Sequence, residues 1–379
     1  MSELSPPYGE RLARARRAMA EQGVGALALS IGSELPWLVG YEAMPLERLT
    51  LLVVRPEDEP VLLVPRLEAP RVRERPELFR LRPWDEHEDP FALAASALAG
   101  ADVVAISERA WASALLALGS ALEAQRGAPV RFVPAGALLT PLRSVKDASE
   151  IARLSGAARA ADAVAAALVA GEVRLAGRSE REVSREIGER LLAEGHRRVG
   201  FSIVASGPNA ASPHHEPTGR IIRPGEPVVC DFGGPWSPDD EPGYCSDVTR
   251  TLWVGERVDP DFASAYEALR EAQAAGVAAA RPGRPAESVD AEVRARLAEA
   301  GLGEAFVHRL GHGIGLDEHE EPYLVAGATA PLAEGQVFSV EPGFYFPGRF
   351  GARIEDIVVA EAAGGRALNR VARELALVS

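Results

Sequence analysis

Two cysteines in 379 residues, Cys230 and Cys245, cannot build a disulfide framework. They read as small buried hydrophobes. Long apolar runs are missing too: no stretch of about 18 uninterrupted apolar residues occurs, so no membrane span is expected. The opening MSELSPPYGE has no apolar centre. No secretion signal is expected there, and the cytoplasm is the default compartment. Positive charge is in deficit, with 41 Lys and Arg against 55 Asp and Glu and a net charge of −14. That balance argues against nucleic acid or an anionic membrane as a partner. Histidine is scarce as well, with seven in the chain, yet three of them lie within twelve residues: His308, His312 and His319.

What is present is ordinary for a globular chain: 47% apolar and 25% charged residues. The length suggests two domains. Residues 9–22 read as a helix stopped by Gly23, followed by a strand over 24–30. Residues 48–54 and 61–64 read as two more strands around the turn at 55–60. A helix from Pro90, a strand at 102–106, a helix at 111–125 and a strand at 130–133 complete an alternating α/β pattern. No Gly-rich phosphate loop occurs in it. Pro36, Trp37 and Tyr41 read as packing residues. Residues 134–147 read as a linker. A long helix over 147–170 follows, then a helix opened by the Ser179/Glu182 capping box. Strands are expected at 198–205, 228–232, 247–254, 306–310, 337–341 and 354–359, with helices over 260–280 and 287–300 among them. The second region thus runs long helix, shorter helix, strands, and then the same again, a pattern consistent with an internal repeat.

The segment VHRLGHGIGLDEHEEP, residues 307–322, organises the chemistry. Glycines on both sides of His312 let backbone approach closely. A neutral imidazole held in such a turn makes a metal ligand or a proton shuttle. Acidic residues stand at strand-like positions around it: Asp231, Asp247, Glu341 and Glu355. A carboxylate at the end of a buried strand is costly unless a cation meets it. Four such carboxylates and one histidine suit a pair of divalent ions.

These motifs resemble the pita-bread metallopeptidase family, which includes prolidase, Xaa-Pro aminopeptidase, methionine aminopeptidase and the metal-free creatinase branch. The resemblance covers the chain from Pro141 onward. It implies an α/β N-terminal domain over 1–140 and an α+β pita-bread catalytic domain over 141–379. It implies that Asp231, Asp247, His312, Glu341 and Glu355 hold two divalent metal ions, with Asp247 and Glu355 bridging them. Mn²⁺ comes first, and Co²⁺ or Zn²⁺ also suits hard oxygen donors with one imidazole. A water shared by the two metals would attack the scissile bond. His319 resembles the histidine that stabilises the tetrahedral intermediate. His214 matches the other substrate-facing histidine, and His215 beside it reads as a solvated neighbour. His308 matches a position lining the pocket after the scissile bond. Arg353, two residues before Glu355, reads as sharing its strand face and supporting the site or the substrate. Thr249 is placed to support the metals. Tyr244 and Arg349 are weaker candidates, for the pocket wall and for a substrate carboxylate, and surface placement is the favoured reading of Arg349.

The implied activity is hydrolysis of the Xaa-Pro bond at the N-terminus of a dipeptide or short peptide, by a homodimer. Two other readings stand beside it: a creatinase-like hydrolase of a non-peptide C–N bond, and a catalytically silent binding protein of the same fold. The first would lack the metal ligands and the second would show damaged ones. One departure from the family is the sixteen-residue spacing from Asp231 to Asp247. The extra segment 235–242 reads as a lengthened hairpin loop that could lie over the cleft.

Overall fold

The computed structural model describes residues 6–379. The expectation of no secretion signal rests partly on residues 1–5, which lie outside the described residues. The chain divides between Arg143 and Ser144 into two units. The helix Gly136–Ser144 runs across the stretch read from sequence as a linker.

In residues 6–143, α1 (Tyr8–Gln22) buries Leu12, Ala15 and Met19 and ends at Gly23. It leads into β1 (Ala26–Leu29), α2 (Glu34–Val39), β2 (Leu51–Val54), β3 (Val61–Pro65) and β4 (Arg80–Trp84). Next come α3 (Pro90–Ala97), β5 (Val103–Ile106), α4 (Ala112–Arg126), β6 (Arg131–Pro134) and α5 (Gly136–Ser144). The strands form one mixed sheet in the order β4-β3-β2-β1-β5-β6. Leu51, Val53 and Leu63 on this sheet pack with Ala94, Leu98, Leu118 and Leu122 of the covering segments. Trp37 and Tyr41 are buried, as expected of packing residues. The sequence reading missed β4 and α2. Strand β4 carries Arg80, Arg82 and Pro83, a composition tolerated only at a sheet edge, and an edge is where it lies. Helix α2 has six residues, all buried, and so offers no amphipathic period to read.

In residues 144–379, α6 (Ala148–Val169) and α7 (Glu180–Ala193) open with reciprocal capping boxes, Asp147/Glu150 and Ser179/Glu182. Such a cap stabilises a helix by about 1 kcal/mol. Then come β7 (Phe201–Ser206), β8 (Glu226–Trp236) and β9 (Tyr244–Val254). The second half starts with α8 (Pro260–Ala279) and α9 (Ala286–Glu299). It continues with β10 (Gly311–Gly313), β11 (Glu320–Leu324), β12 (Val337–Val340), β13 (Gly343–Phe346) and β14 (Phe350–Arg353). It ends with β15 (Asp356–Glu361), β16 (Gly364–Ala367) and β17 (Ala376–Val378). Two larger sheets result, β17-β9-β8-β7 and β11-β10-β12-β15-β16, with β13-β14 as a separate hairpin.

Each half has its own core. In one, Leu168, Val183, Ile187 and Leu191 meet Val204, Val228, Phe232 and Val248. In the other, Phe262, Leu269, Val289 and Val293 meet Phe338, Val340, Phe344 and Val358. Helix pair followed by antiparallel strands occurs twice, the order the sequence pattern suggested. A single bridge, Thr249 to Glu355, joins the two larger sheets. The strand expected at 306–310 is irregular, and β10 begins at Gly311 instead. No helix among the described residues is long and apolar enough to cross a membrane.

Candidate active site

The site forms where the two larger sheets are bridged. Asp231 on β8 pairs in register with Thr249 on β9, and Asp247 is two residues from Thr249. Alternation therefore sets all three side chains on one face. His312 sits in the middle of β10, and Glu341 follows the last residue of β12. Glu355 lies between β14 and β15, where its amide donates to the carbonyl of Thr249 at 3.2 Å. The sequence reading had Arg353 and Glu355 on one strand face. The chain breaks between them instead, and both side chains converge on the Thr249 hydroxyl, at 3.0 Å and 2.6 Å.

Close packing at β10 depends on glycine. A Cβ on Gly311 would lie 1.9 Å from the Ser339 carbonyl oxygen, and one on Gly313 would lie 2.3 Å from that of Glu321. The Ser339 hydroxyl accepts from the His312 amide at 3.0 Å and donates to Glu341 at 3.1 Å. His312 Nδ1 faces the Gly313 carbonyl at 3.1 Å and so carries the proton. That leaves the Nε2 lone pair aimed at Glu341, 3.3 Å away, and Asp247, 3.8 Å away.

The donor set fits divalent metal on three observations. Donor atoms of Asp247, His312 and Glu355 lie within 4.8 Å of one another. Asp231 Oδ1, Asp247 Oδ1 and Glu355 Oε1 are buried with no hydrogen-bond partner. Hard carboxylates with one imidazole are ligands that Mn²⁺, Co²⁺ or Zn²⁺ accept. Burial pushes the Asp231, Asp247 and Glu355 carboxyls up, and repulsion from neighbouring carboxylates adds to it. Glu341 goes the other way: against the pull of burial, a protonated His312 would hold it at about 2 in the absence of metal, and a metal ion on the Nε2 lone pair would take over that role. The groups thus form a coupled acidic cluster whose charge a cation would stabilise.

Arg353 is the fixed cation beside them, 2% exposed. Its guanidinium reaches Asp231, Thr249, the Pro213 carbonyl at 3.3 Å and the Tyr345 hydroxyl at 2.8 Å. Burial alone would lower its pKa, but Tyr345 and the surrounding carboxylates raise it and keep it charged. Tyr345 in turn lies 2.9 Å from His308 Nε2. His308 Nδ1 faces the Arg309 carbonyl at 2.8 Å, so Nε2 is the acceptor and the Tyr345 hydroxyl donates to it. Burial lowers the His308 pKa, which keeps this ring neutral.

The His319 ring lies 3.9 Å from the His312 ring, centroid to centroid, tilted by 41°. Arg309 Nη2 approaches His319 Nδ1 at 3.4 Å, which leaves the proton on Nε2. Burial first, and then the neighbouring His312 and Arg309, push the His319 pKa down to about 4. A neutral ring with an Nε2–H donor results. His214 lies exposed at the rim, in the segment after β7.

All nine expected site residues line one cleft of about 430 Å³, a volume suited to a small ligand. Phe201, Ile203, Pro213, Arg309 and Glu318 line it too, and sequence reading had not singled them out. Arg309 stands inside the HRLGH motif, a signal that was available. Phe201 and Ile203 carry none beyond strand alternation.

Three readings change. His215 is not a solvated neighbour: its Nε2 lies 2.9 Å from the buried Glu180 carboxylate. Tyr244 is buried against α6, where its hydroxyl donates to Glu150 at 2.9 Å, and it does not line the cleft. The segment 235–242 does not cover the cleft. Pro235 and Trp236 extend β8, and the loop beyond docks on α6 through Arg153 and Asp239, 2.8 Å apart. Arg349 is exposed and lies over the Phe350 ring, as expected of a surface residue.

Paired helix-and-strand halves around a cleft whose candidate ligands are four carboxylates and one imidazole define a metallohydrolase scaffold. The chain belongs to metallopeptidase family M24. Residues 152–362 match the family of that description, and residues 11–145 match the creatinase/prolidase N-terminal domain. The chain is 44% identical to the "Probable dipeptidase PepE" of Mycobacterium tuberculosis over 375 residues, 98% of this chain and 96% of that one. The crystal structure of dipeptidase PepE from Mycobacterium ulcerans superposes with a TM-score of 0.88 at 44% identity, covering 98% of each chain. Prolidase from Thermococcus sibiricus superposes with a TM-score of 0.89 at 34% identity, covering 99% of this chain and all of that one. The architecture is accordingly the expected one, a creatinase-type N-terminal domain followed by a pita-bread catalytic domain.

Proposed function

We propose that this chain is a dinuclear metallodipeptidase that hydrolyses the Xaa-Pro bond of dipeptides. The observation that carries the reading is the convergence of Asp231, Asp247, His312, Glu341 and Glu355 on one cleft, with three carboxylate oxygens buried and unpartnered. The relatives named dipeptidase and prolidase support the substrate class. Those five residues would hold two divalent ions, Mn²⁺ by preference. Bound there, the ions would supply Lewis acidity toward the scissile carbonyl and a water activated at neutral pH.

The chain's own residues do the rest. Arg353 fixes Asp231 and keeps Tyr345 in line with His308. His308, backed by the buried Tyr345, forms the neutral surface that receives the proline ring. His319 presents Nε2–H to the oxygen on which negative charge develops, and Arg309 keeps the proton on that nitrogen. His214 enters from the rim and orients the substrate. Complete ligands weigh against the creatinase-like and silent readings.

The test is hydrolysis of Ala-Pro, Ala-Ala and Ala-Pro-Ala-Ala by the homogeneous protein with Mn²⁺ and with chelator. Metal-dependent cleavage of Ala-Pro in preference to Ala-Ala is expected. Preference for the tetrapeptide would make the chain an aminopeptidase. Cleavage that survives chelation would overturn the metal reading. Light scattering of the same sample tests the homodimer that the family resemblance implies.

A further inference from the structure

Glu318 stands in the cleft with no duty in the chemistry described so far. Its side chain is 34% exposed, but Oε1, turned toward Gly200, is buried and has no hydrogen-bond partner. Arg198 Nη1 comes to 3.7 Å of that oxygen, outside hydrogen-bonding range, on a side chain 60% exposed. The carboxylate lies so close over Gly200 that a Cβ there would sit 2.1 Å from Oε1. Gly200 precedes β7, so Glu318 belongs to the wall that β7 builds. Phe201 and Ile203, two residues apart, give that wall an apolar surface. His308 and Arg353 also line the cleft, tied to each other through the buried Tyr345 hydroxyl.

A buried carboxylate oxygen without a donor is costly, and a cation that reaches it recovers the cost. An apolar strip ending in a carboxylate suits a side chain with an apolar stem and a cationic head. Lysine and arginine have that form. If His308 receives the proline, the first residue of the dipeptide is left to the β7 side of the cleft. We infer that Glu318 is a specificity-determining residue that selects dipeptides with arginine or lysine in first position. The inference rests on the Xaa-Pro reading only for which wall each residue takes. Arg198 is the competitor at Glu318, and its exposure lets it withdraw into solvent when a substrate cation arrives. The chain's net charge of −14 draws the same substrates at long range.

The test is kcat/KM for Arg-Pro, Leu-Pro, Arg-Ala and Leu-Ala with the Mn²⁺-loaded protein and with Glu318→Gln, metal content being matched first. The expected wild-type ratio of Arg-Pro to Leu-Pro is about tenfold or more, and Glu318→Gln brings it close to one, as loss of a charged hydrogen bond requires. A wild-type ratio near one, or a ratio unchanged in the variant, overturns the inference. A fall of both substrates together would mean that Glu318 meets the α-amino group, and overturns it too. If the alanyl pair is cleaved as fast as the prolyl pair, the Xaa-Pro reading fails while the arginine-to-leucine ratio still judges Glu318. Cleavage of none of the four overturns both.

Discussion

Replacing Glu180 by glutamine should destabilise the protein and displace the loop that carries His214. Glu180 is the first residue of α7, and its side chain is fully buried. Its oxygens accept from the Ser206 amide and hydroxyl at 2.9 and 2.7 Å, and from Asn209 at 2.9 Å. They also accept from the Thr218 amide and hydroxyl at 3.1 and 2.7 Å, with His215 at 2.9 Å. Burial alone would raise its pKa, but these donors outweigh it and hold the carboxyl at about 2 against an ordinary 4.5. At about 1.4 kcal/mol per pH unit, the shift corresponds to roughly 3 kcal/mol. Because the folded pKa is depressed, that stability is present above about pH 4.5 and is lost as pH falls toward 2. Glutamine keeps the shape, loses the charge and turns an N–H₂ group toward donors. Urea unfolding of the metal-free protein should show a gap of about 2–3 kcal/mol between wild type and variant at pH 7, narrowing below pH 4.5. Turnover should fall as well, by about tenfold, because residues 206–218 place His214. Equal stability at pH 7, or a gap that stays constant down to pH 3, would refute the reasoning.

Two further outcomes concern the cleft. Replacing His312 or Glu341 by alanine should remove at least one equivalent of metal, read by elemental analysis after gel filtration; full metal content with full activity would sink the ligand assignment. Alanine at His319 should leave metal content intact and lower kcat by about 10²-fold, the usual cost of one lost transition-state donor. Unchanged turnover in that variant would remove His319 from the chemistry.

Much of this was legible because local rules and tertiary demands agree. The two capping boxes, the apolar faces of α6 and α7 and the glycines around His312 each announce themselves within a few residues. The expected ligands were readable because a carboxylate at the end of an apolar run has few structural uses. Other features need distance in sequence to become distance in space. Tyr345 matters because Arg353 and His308 both reach it, and neither neighbours it in the chain. Glu180 read as an ordinary first-turn acid, which favours the helix dipole wherever it occurs. Only the fold brings the 206–218 segment over it. The 235–242 loop was misread for a related reason. Its anchor, Arg153, sits on a helix more than eighty residues earlier, and nothing in the loop names that partner.

The charge arrangement of the cleft bears on how many ions it takes. With every carboxylate ionised, as metal binding requires, the four carboxylates and the Arg353 guanidinium leave three negative charges beside the His312 lone pair. Arg309 and Glu318 cancel. One divalent ion would leave the cleft negative, and a dipeptide brings its own carboxylate into a confined, partly dehydrated space where like charges repel strongly. Two divalent ions would turn the balance to one positive charge. A dipeptide carries an α-ammonium group as well as its carboxylate and is neutral as a whole, so its charge does not set the number of ions; its carboxylate is attracted only where the ammonium is held away from them. The proposed pair of ions therefore rests on the ligand set, and the choice between dipeptide and longer peptide rests on the substrate comparison.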